Sequence, residues 1–372
     1  MQYKDYKDGI RLSRLGMGNM RLPVIDGDQG KIDEEKALAI IDECYNSGVN
    51  YFDTAFNYHN GMSEIFVGKA LARYPRDSFY VATKYNYMAN PDPVDEFSKQ
   101  LEKLQMDHVD FYLLHGLRDE LIDTMVNIGA IDYFNKQKEE GKIRYFGFSF
   151  HGTVDGLKKL LSLNKWDFVQ IQLNYYDWYL ETAKGQYDVL TEAGIPVVVM
   201  EPAHGGMLAN LSEPAAAKVR AVQPEGSLAS FAMRFVKSLP NVQVVLSGMS
   251  ELEQVIDNVK TFSEGEPFTE AELAAAEDAA KTQKATVTLP CTACHYCCPD
   301  CPQQLDIPEL LVAYNAFKIG GPFSLMRLAS LPAEKQPSAC IGCGSCTRHC
   351  PQEIDVPAAM KEMAEVMARF KR

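Results

Sequence analysis

Residues 79–117 read FYVATKYNYMANPDPVDEFSKQLEKLQMDHVDFYLLHGL and contain one complete structural repeat. Apolar runs stand at both ends, FYVATKY at 79–85 and VDFYLLHGL at 109–117. Near-continuous apolar runs are typical of strands that are buried on both faces. Between them, PVDEFSKQLEKLQ has the spacing of an amphipathic helix. The segment therefore predicts a strand, a crossover helix and a second, parallel strand.

The same alternation extends over about the first 262 residues. Eight β/α repeats in about 250 residues predict an α/β fold of the (β/α)8 TIM-barrel type. The alternative is a doubly wound open sheet, but Arg21 stands where the third glycine of its Gly-rich fingerprint would follow Gly16 and Gly18. The other predicted strands are LSRLGMG (12–18), YFDTA (51–55), IRYFGFSF (143–150), FVQIQLN (168–174), PVVVMEP (196–202) and VQVVLSG (242–248).

The chain is acidic, with a formal net charge of −13. An acidic surface repels phosphate backbones and anionic lipids, so we expect neither nucleic acid nor a membrane as a partner. No apolar run approaches the ~20 residues of a membrane-spanning helix. The first residues, MQYKDYKDGIRLSRLG, lack the apolar core of a secretory signal. These features predict a cytoplasmic protein.

Nine of the ten cysteines lie between Cys291 and Cys350, within an internal repeat. CTACHYCCPDCPQQLDIPELL (291–311) aligns with CIGCGSCTRHCPQEIDVPAAM (340–360). Each copy contains the spacing C-x2-C-x2-C-x3-C-P, which is typical of [4Fe–4S] ligation. Zinc sites and disulfides are the alternatives, but the duplication of the whole run favours iron and sulfide. The two runs are Cys291, Cys294, Cys297 and Cys301, and Cys340, Cys343, Cys346 and Cys350.

Over about residues 288–358 this tail resembles bacterial dicluster ferredoxins. In such proteins the fourth cysteine of each run ligates the other cluster. The expected ligand sets are therefore Cys291, Cys294, Cys297 and Cys350 for one cluster, and Cys340, Cys343, Cys346 and Cys301 for the other. Cys298 is the spare. We predict a barrel with a trailing helix over residues 1–285 and a small α-rich ferredoxin-like iron–sulfur domain over 286–372.

Polar side chains stand where the predicted barrel strands end, which is where TIM barrels place their active sites. Asp53 lies near the end of the second predicted strand, with Tyr58 five residues later, and Lys84 and His115 lie near the ends of the next two. Each alone has an ordinary structural interpretation, such as a turn cap or a solvated strand end. Together they supply an acid, a phenol, an ammonium and an imidazole, a set that suits the reduction of a carbonyl.

The chemistry follows from the four groups. A phenol has a reference pKa of about 10, so it is a weak acid at neutral pH. An adjacent ammonium lowers such a pKa, and a carboxylate holds the ammonium in place. Tyr58 would then donate a proton as hydride reaches the carbon, while His115 hydrogen-bonds the carbonyl oxygen.

The barrel part resembles the aldo-keto reductases through RLGMGNMRLP, FDTAFNYHNGMSE, VATK, DFYLLH, GKIRYFGFS, VQIQLNY and SGMSELEQVIDN. The resemblance implies that Asp53, Tyr58, Lys84 and His115 form the catalytic tetrad. It also implies NADP or NAD as a cofactor without a Rossmann motif. The residues expected at the nucleotide are Ser149 and Gln170 at the carboxamide, Met200 at the ring, Ser247, Gly248 and Gln254 further along, and Asn258 at the adenine.

Two departures from the family pattern affect the expected cofactor site. Met200 replaces the aromatic residue that often stacks on the nicotinamide. Gly248, Met249 and Gln254 replace the Lys-Ser and Arg of the 2′-phosphate site, so the expected preference for NADPH over NADH is weak. A flavin has no sequence signature here, although barrels can bind flavin phosphate in their late loops.

Three functional hypotheses follow. The first is a reductase of a small carbonyl compound whose iron–sulfur tail exchanges electrons with a one-electron carrier protein. The second is a reductase with purely structural clusters. The third is a non-enzymatic nucleotide-binding redox sensor, which would have no need of Tyr58 beside Lys84.

The duplicated cysteine run predicts two [4Fe–4S] clusters, hence roughly eight iron atoms and eight sulfides per chain. Iron and acid-labile sulfide are to be quantified after anaerobic reconstitution. About half of those values, or zinc in place of iron, would refute the prediction.

Overall fold

The computed structural model describes residues 1–264, 267–285, 288–320 and 322–370. The chain forms two compact units, one of Met1–Pro202 with Glu225–Leu273 and one of Ala203–Pro224 with Ala274–Arg372. The predicted boundary between residues 285 and 286 falls within the second unit and stays a prediction.

Eight parallel strands of the first unit close into a barrel in the order β10-β3-β4-β5-β6-β7-β8-β9. The predicted TIM barrel is confirmed, and the open sheet is excluded because the barrel leaves no sheet edge. The strands are β1 (Tyr3–Asp5), β2 (Arg11–Ser13), β3 (Leu15–Gly18), β4 (Tyr51–Asp53), β5 (Tyr80–Tyr85), β6 (Val109–Leu117), β7 (Ile143–Phe150), β8 (Phe168–Gln172), β9 (Val197–Met200) and β10 (Val242–Ser247).

Helices follow the barrel strands, and several begin at a side-chain cap. Before α3, for example, the Asp92 carboxylate accepts hydrogen bonds from the amides of Val94 and Asp95, and Pro93 is the first helical residue. Up to the iron–sulfur tail the helices are α1 (Glu34–Asn46), α2 (Ser63–Leu71), α3 (Pro93–Leu104), α4 (Asp119–Asn127), α5 (Ala130–Glu139), α6 (Val154–Leu163), α7 (Tyr175–Leu180), α8 (Ala183–Glu192), α9 (Glu213–Arg220), α10 (Leu228–Ser238), α11 (Leu252–Ser263) and α12 (Glu270–Lys284).

The run predicted as one strand over residues 12–18 is two strands. β2 pairs antiparallel with β1, whereas β3 enters the barrel beside β10 and β4. The Ser13 hydroxyl donates to the Leu15 carbonyl at 2.7 Å, within the break between the two strands. Ile10 and Leu12 of the hairpin pack into the apolar cluster of the barrel interior, so this hairpin covers the end of the barrel where the strands begin.

Side-chain alternation along the strands positions the polar residues. Tyr51, Ala82 and Leu113 belong to the apolar interior cluster. Side chains two residues apart on a strand point to the same side. The residues two positions further along these strands are Asp53, Lys84 and His115, so they face the barrel axis one layer above the apolar interior.

The second unit has its own apolar core, to which Cys297 and Cys346 contribute. Its further helices are α13 (Ile307–Gly320), α14 (Ser345–His349) and α15 (Val356–Phe370). The two sequence copies also share backbone conformation. Three aligned positions of the two copies have left-handed backbone conformations. In the first copy they are Ala293, His295 and Gln304, with φ of 50°, 60° and 48°. In the second copy they are Gly342, Gly344 and Glu353, with φ of 70°, 71° and 52°.

Among the described residues, no helix combines the length and the apolar character needed to cross a membrane.

Candidate active site and iron–sulfur sites

Lys84 on β5 is the centre of the polar cluster in the barrel. Its side chain is wholly buried, and its Nζ donates to Asp53 Oδ1 at 2.6 Å, to the Thr54 carbonyl at 2.6 Å and to Tyr58 Oη at 3.3 Å. An ammonium has three protons to donate, so these three oxygens satisfy it. The site thus fixes Lys84 Nζ between a carboxylate and a phenol.

The buried pair of Lys84 and Asp53 is electrostatically coupled. Burial lowers the pKa of Lys84 and raises the pKa of Asp53, while the charge of each partner opposes its shift. At 2.6 Å the mutual attraction favours the doubly charged pair. Removal of one partner would leave an uncompensated buried charge, at a cost of about 3–5 kcal/mol.

His115 on β6 lies beside the phenol. Its ring and that of Tyr58 are 5.8 Å apart between centroids and meet edge to face. The side chain is partly exposed, but its Nδ1 atom is buried. Burial, with smaller contributions from Lys84 and His151, holds the pKa of His115 well below its usual range. The imidazole is therefore neutral at pH 7, so it can hydrogen-bond a carbonyl oxygen but has no surplus proton.

A buried polar network supports the strand that carries Lys84. The Gln100 amide on α3 donates to the Lys84 carbonyl at 2.8 Å and to Glu64 Oε1 at 2.9 Å. Glu64 Oε1 also accepts from the Thr83 hydroxyl at 2.7 Å. No sequence motif marks Glu64 or Gln100 as part of the site. An acid in the first turn of a helix, such as Glu64 in α2, has an ordinary interpretation as a partner of the helix dipole.

Two further residues, Asn19 and His59, fix the loops around Asp53 and Tyr58. The Asn19 amide donates to the Asp53 carbonyl at 2.9 Å. His59, which follows Tyr58, is buried and lies 3.1 Å from the Gln29 carbonyl through Nδ1, while its Nε2 accepts from the Leu22 amide. His59 is therefore a structural residue of the loop.

The structure brings together three of the residues predicted for the nicotinamide. Ser149 Oγ accepts from the Gly116 amide at 2.7 Å, and the Gln170 amide lies 3.4 Å from the Met200 sulfur. Gln170 Oε1 is buried and has no hydrogen-bond partner within the part of the chain that the structure describes. A buried, unsatisfied acceptor fits the amide donor of a carboxamide, so these residues suit the nicotinamide end of the cofactor.

The remaining predicted nucleotide residues have different surroundings. Ser247 alternates with Val244 and Leu246 of the barrel interior, so it faces outward, where its hydroxyl accepts from the Asn258 amide at 3.0 Å. Gln254 lies in the first turn of α11, and its side chain accepts from the amide of Ser250 in the preceding loop. Gly248 packs against the side chain of Arg21, which lies within van der Waals distance of where a Cβ would stand.

One predicted iron–sulfur ligand set lines a single cavity of the second unit. Its four thiols are separated in sequence but meet there, with apolar walls that include Leu305, Ile307 and Met360. Four thiols around an apolar cavity fit the donor set of a [4Fe–4S] cluster. These cysteines are Cys301, Cys340, Cys343 and Cys346.

In the other predicted set, the thiol of Cys297 is buried in the apolar core of the unit. The Cys298 thiol and burial raise the pKa of Cys297, and the charges of Cys294 and Cys291 add to this rise. Cys350 and Cys291 both pack against the apolar core of the unit. Cys298, the spare cysteine, lies 3.7 Å from His295 Nδ1 through its sulfur.

The family model "Aldo/keto reductase family" matches residues 14–281. The chain belongs to this family. A second model, "4Fe-4S dicluster domain", matches residues 290–354. The protein is therefore an oxidoreductase of the aldo-keto reductase type, with NAD(P)H and [4Fe–4S] clusters as its cofactors. The predictions of family, enzyme class and cofactors are confirmed, whereas the roles of the individual residues stay predictions.

Relatives agree with this assignment over the barrel. Aldo-keto reductase AKR11C1 from Bacillus halodurans, in its holo form, superposes with a TM-score of 0.62 and 27% identity over 75% of this chain and 96% of that one. "NADH-specific methylglyoxal reductase" of Escherichia coli (strain K12) is 26% identical over 54% of this chain and 66% of its own length. "Probable aldo-keto reductase 1" of Glycine max is 28% identical over 52% of this chain, which spans 57% of that relative.

The lowered pKa values predict that His115 and His151 stay neutral as the pH falls through 6.5. For His151, burial, aided by Arg118, lowers the pKa to about 4. The ring signals of ¹⁵N-histidine-labelled protein are to be followed between pH 8 and 5, with His115→Asn and His151→Asn for assignment. Titration of the His115 ring near pH 6.5 would contradict the prediction and show a cationic imidazole beside Tyr58.

Proposed function

We propose that the protein reduces the carbonyl of a small aldehyde or ketone to an alcohol with NAD(P)H. The observation that carries this proposal is the contact of the Tyr58 phenol with the Lys84 ammonium at 3.3 Å, beside His115. The reaction consumes one carbonyl, one NAD(P)H and one proton, and yields one alcohol and one NAD(P)⁺.

Each member of the cluster has a separate role in this proposal. The nicotinamide, when bound, supplies the hydride. Tyr58 Oη gives its proton to the carbonyl oxygen as the C=O π bond breaks, and the resulting phenolate is stabilised by the ammonium of Lys84. Asp53 holds that ammonium in place and is a positioning residue. His115, being neutral, orients the carbonyl oxygen through a hydrogen bond, so Tyr58 is the better proton donor of the two.

The cofactor is held by residues of the neighbouring strands in this proposal. Gln170 and Ser149 bind the carboxamide, and Met200 forms an apolar contact with the ring. The name of the Escherichia coli relative, a methylglyoxal reductase, supports a small carbonyl compound as the substrate class. The buried ion pair argues against a mere nucleotide sensor, because binding alone requires no ammonium beside a phenol.

We further propose that the clusters exchange electrons with a separate one-electron carrier protein. A hydride carries two electrons, whereas a [4Fe–4S] cluster normally transfers one, so direct exchange with NAD(P)H would require an additional electron splitter. Cys343, a proposed ligand of one cluster, is exposed, as is the adjoining Ile341 of the cavity wall. An exposed ligand favours electron exchange with a partner over a purely structural cluster.

Tyr58→Phe is expected to lower kcat by at least about two powers of ten, because the proton is needed only in the transition state. The Kd of NAD(P)H, measured by fluorescence titration, should change little. Tyr80→Phe, at the other end of the strand that carries Lys84, is the matched control and should retain activity. Near-normal turnover by Tyr58→Phe would exclude Tyr58 as the acid.

Cys343→Ala is expected to remove one cluster and to halve the electrons that dithionite-reduced protein delivers to a one-electron acceptor. Carbonyl reduction by NAD(P)H should persist. Cys298→Ala, which removes the spare cysteine of the same unit, is the matched control and should keep both clusters. Unchanged electron delivery by Cys343→Ala would contradict the carrier proposal, and loss of carbonyl reduction with a folded barrel would show that the clusters take part in catalysis.

A further inference from the structure

Three side chains of the second unit that can bind a metal meet at a point outside both predicted cluster sets. They are His295 and Cys298 of the first cysteine run and Asp306, directly before α13. One ligand atom of each lies within 4.8 Å of the other two, and Cys298 Sγ is 3.7 Å from His295 Nδ1. The imidazole and the thiol are half-buried and the carboxylate is exposed, so an ion from solvent can reach all three.

The separation of these atoms suits tetrahedral coordination. Zinc lies about 2.3 Å from a thiolate sulfur and about 2.0 Å from an imidazole nitrogen, which places the two ligand atoms about 3.5 Å apart. The observed 3.7 Å between Cys298 Sγ and His295 Nδ1 is close to this value. The Asp306 carboxylate has to approach by at most about 1.3 Å to reach the same geometry, and an exposed side chain does so by a small rotation.

The chemistry of the three donors determines which metal fits. A thiolate is a soft ligand, whereas Mg²⁺ and Ca²⁺ take oxygen ligands. Zn²⁺ binds thiolate sulfur, imidazole nitrogen and carboxylate oxygen, and three protein ligands leave a fourth position for water. Zinc has no redox chemistry, so an ion at this point adds no step to the electron exchange proposed for the clusters.

The second sequence copy provides an internal comparison for the three residues. The residues aligned with His295, Cys298 and Asp306 are Gly344, Thr347 and Asp355. The aspartate is shared because it caps a helix in both copies. Asp306 Oδ1 accepts from the Glu309 amide at 3.3 Å, at the start of α13. Asp355 Oδ1 accepts from the Ala358 amide at 3.1 Å, at the start of α15. The cap uses one carboxylate oxygen of Asp306 and leaves the other for a metal.

The imidazole and the thiol, in contrast, belong to the first copy alone. Gly344 has the same left-handed conformation as His295, with φ of 71° and 60°, so the backbone requires no side chain at this position. A hydroxyl, that of Thr347, stands at the position of the Cys298 thiol. The first copy therefore carries a complete donor set, whereas the second copy keeps only the helix cap.

We propose that His295, Cys298 and Asp306 bind one Zn²⁺, separate from the two clusters. The ligand atoms are His295 Nδ1, Cys298 Sγ and the Asp306 oxygen that does not cap α13. The ion joins the loop of the first cysteine run to the start of α13, whose residues Leu310 and Leu311 belong to the apolar core of the unit. The zinc is bound in addition to the iron, not in place of it.

The test uses the full chain with both clusters already reconstituted, so that the cluster thiols are occupied when zinc is added. Titration with Zn²⁺ in competition with a chelator of known affinity should show one site per chain. The zinc-edge X-ray absorption spectrum should show one sulfur at about 2.3 Å and three nitrogen or oxygen neighbours at about 2.0–2.2 Å. This spectrum is independent of the iron and requires no variant.

Four variants identify the ligands. His295→Gly and Cys298→Thr introduce the residues of the second copy, and Asp306→Asn keeps a good helix cap while it removes the charge. Each should raise the Kd of zinc at least about 100-fold, because even groups that only orient a metal ligand contribute about 10- to 100-fold. Asp355→Asn, the same change at the aligned cap, is the matched control and should leave this Kd unchanged. Iron should stay at roughly eight atoms per chain in all four variants.

A zinc spectrum with two or more sulfur neighbours would overturn the proposal, because it would place the ion at the cluster cysteines. Failure of the cluster-loaded protein to bind zinc would do the same, as would a ninth iron that excludes zinc. Equal losses of zinc affinity in Asp306→Asn and Asp355→Asn would show that the helix caps, and not a metal ligand, account for the effect, and would also overturn it.

Discussion

The ammonium of Lys84 is buried in the barrel together with the carboxylate of Asp53, 2.6 Å away. Neither charge is tolerable there without the other, because desolvation of a single ion costs several kcal/mol. The pair therefore demands a fixed separation of β4 and β5, and the closed barrel provides it. The same ammonium reaches the Tyr58 phenol, so the interaction that makes the buried charges acceptable also prepares the acid of the proposed reaction.

The surrounding protein is organised to hold that pair. Below it lies the apolar interior of the barrel, which includes Tyr51 and Ala82. Behind it, Gln100 binds the carbonyl of Lys84 and also Glu64. Above it, Asn19 binds the carbonyl of Asp53. A side chain fixed on every side loses little entropy when a substrate arrives, which is the usual advantage of sites built on rigid strands.

The second unit must bring several thiolates of a short segment close together. Its two sequence copies do this with the same backbone conformation. Ala293 and His295 accept left-handed conformations that the second copy assigns to Gly342 and Gly344, at some cost for side chains with a Cβ. Cys297 and Cys346 are part of the apolar core. The cluster ligands and the core of this unit are therefore one structure, and metal binding and folding are expected to be coupled.

The sequence by itself determined the eight strands, the duplicated cysteine run and the set Asp53, Tyr58, Lys84 and His115, because hydrophobic alternation, ligand spacing and strand ends are local properties. It did not reveal the break between β2 and β3, which depends on pairing with β1. The structural role of His59 and the position of Arg21 against Gly248 were decided by tertiary structure alone. Each depends on a loop or strand distant in sequence, and no local pattern encodes which distant partner a side chain will meet.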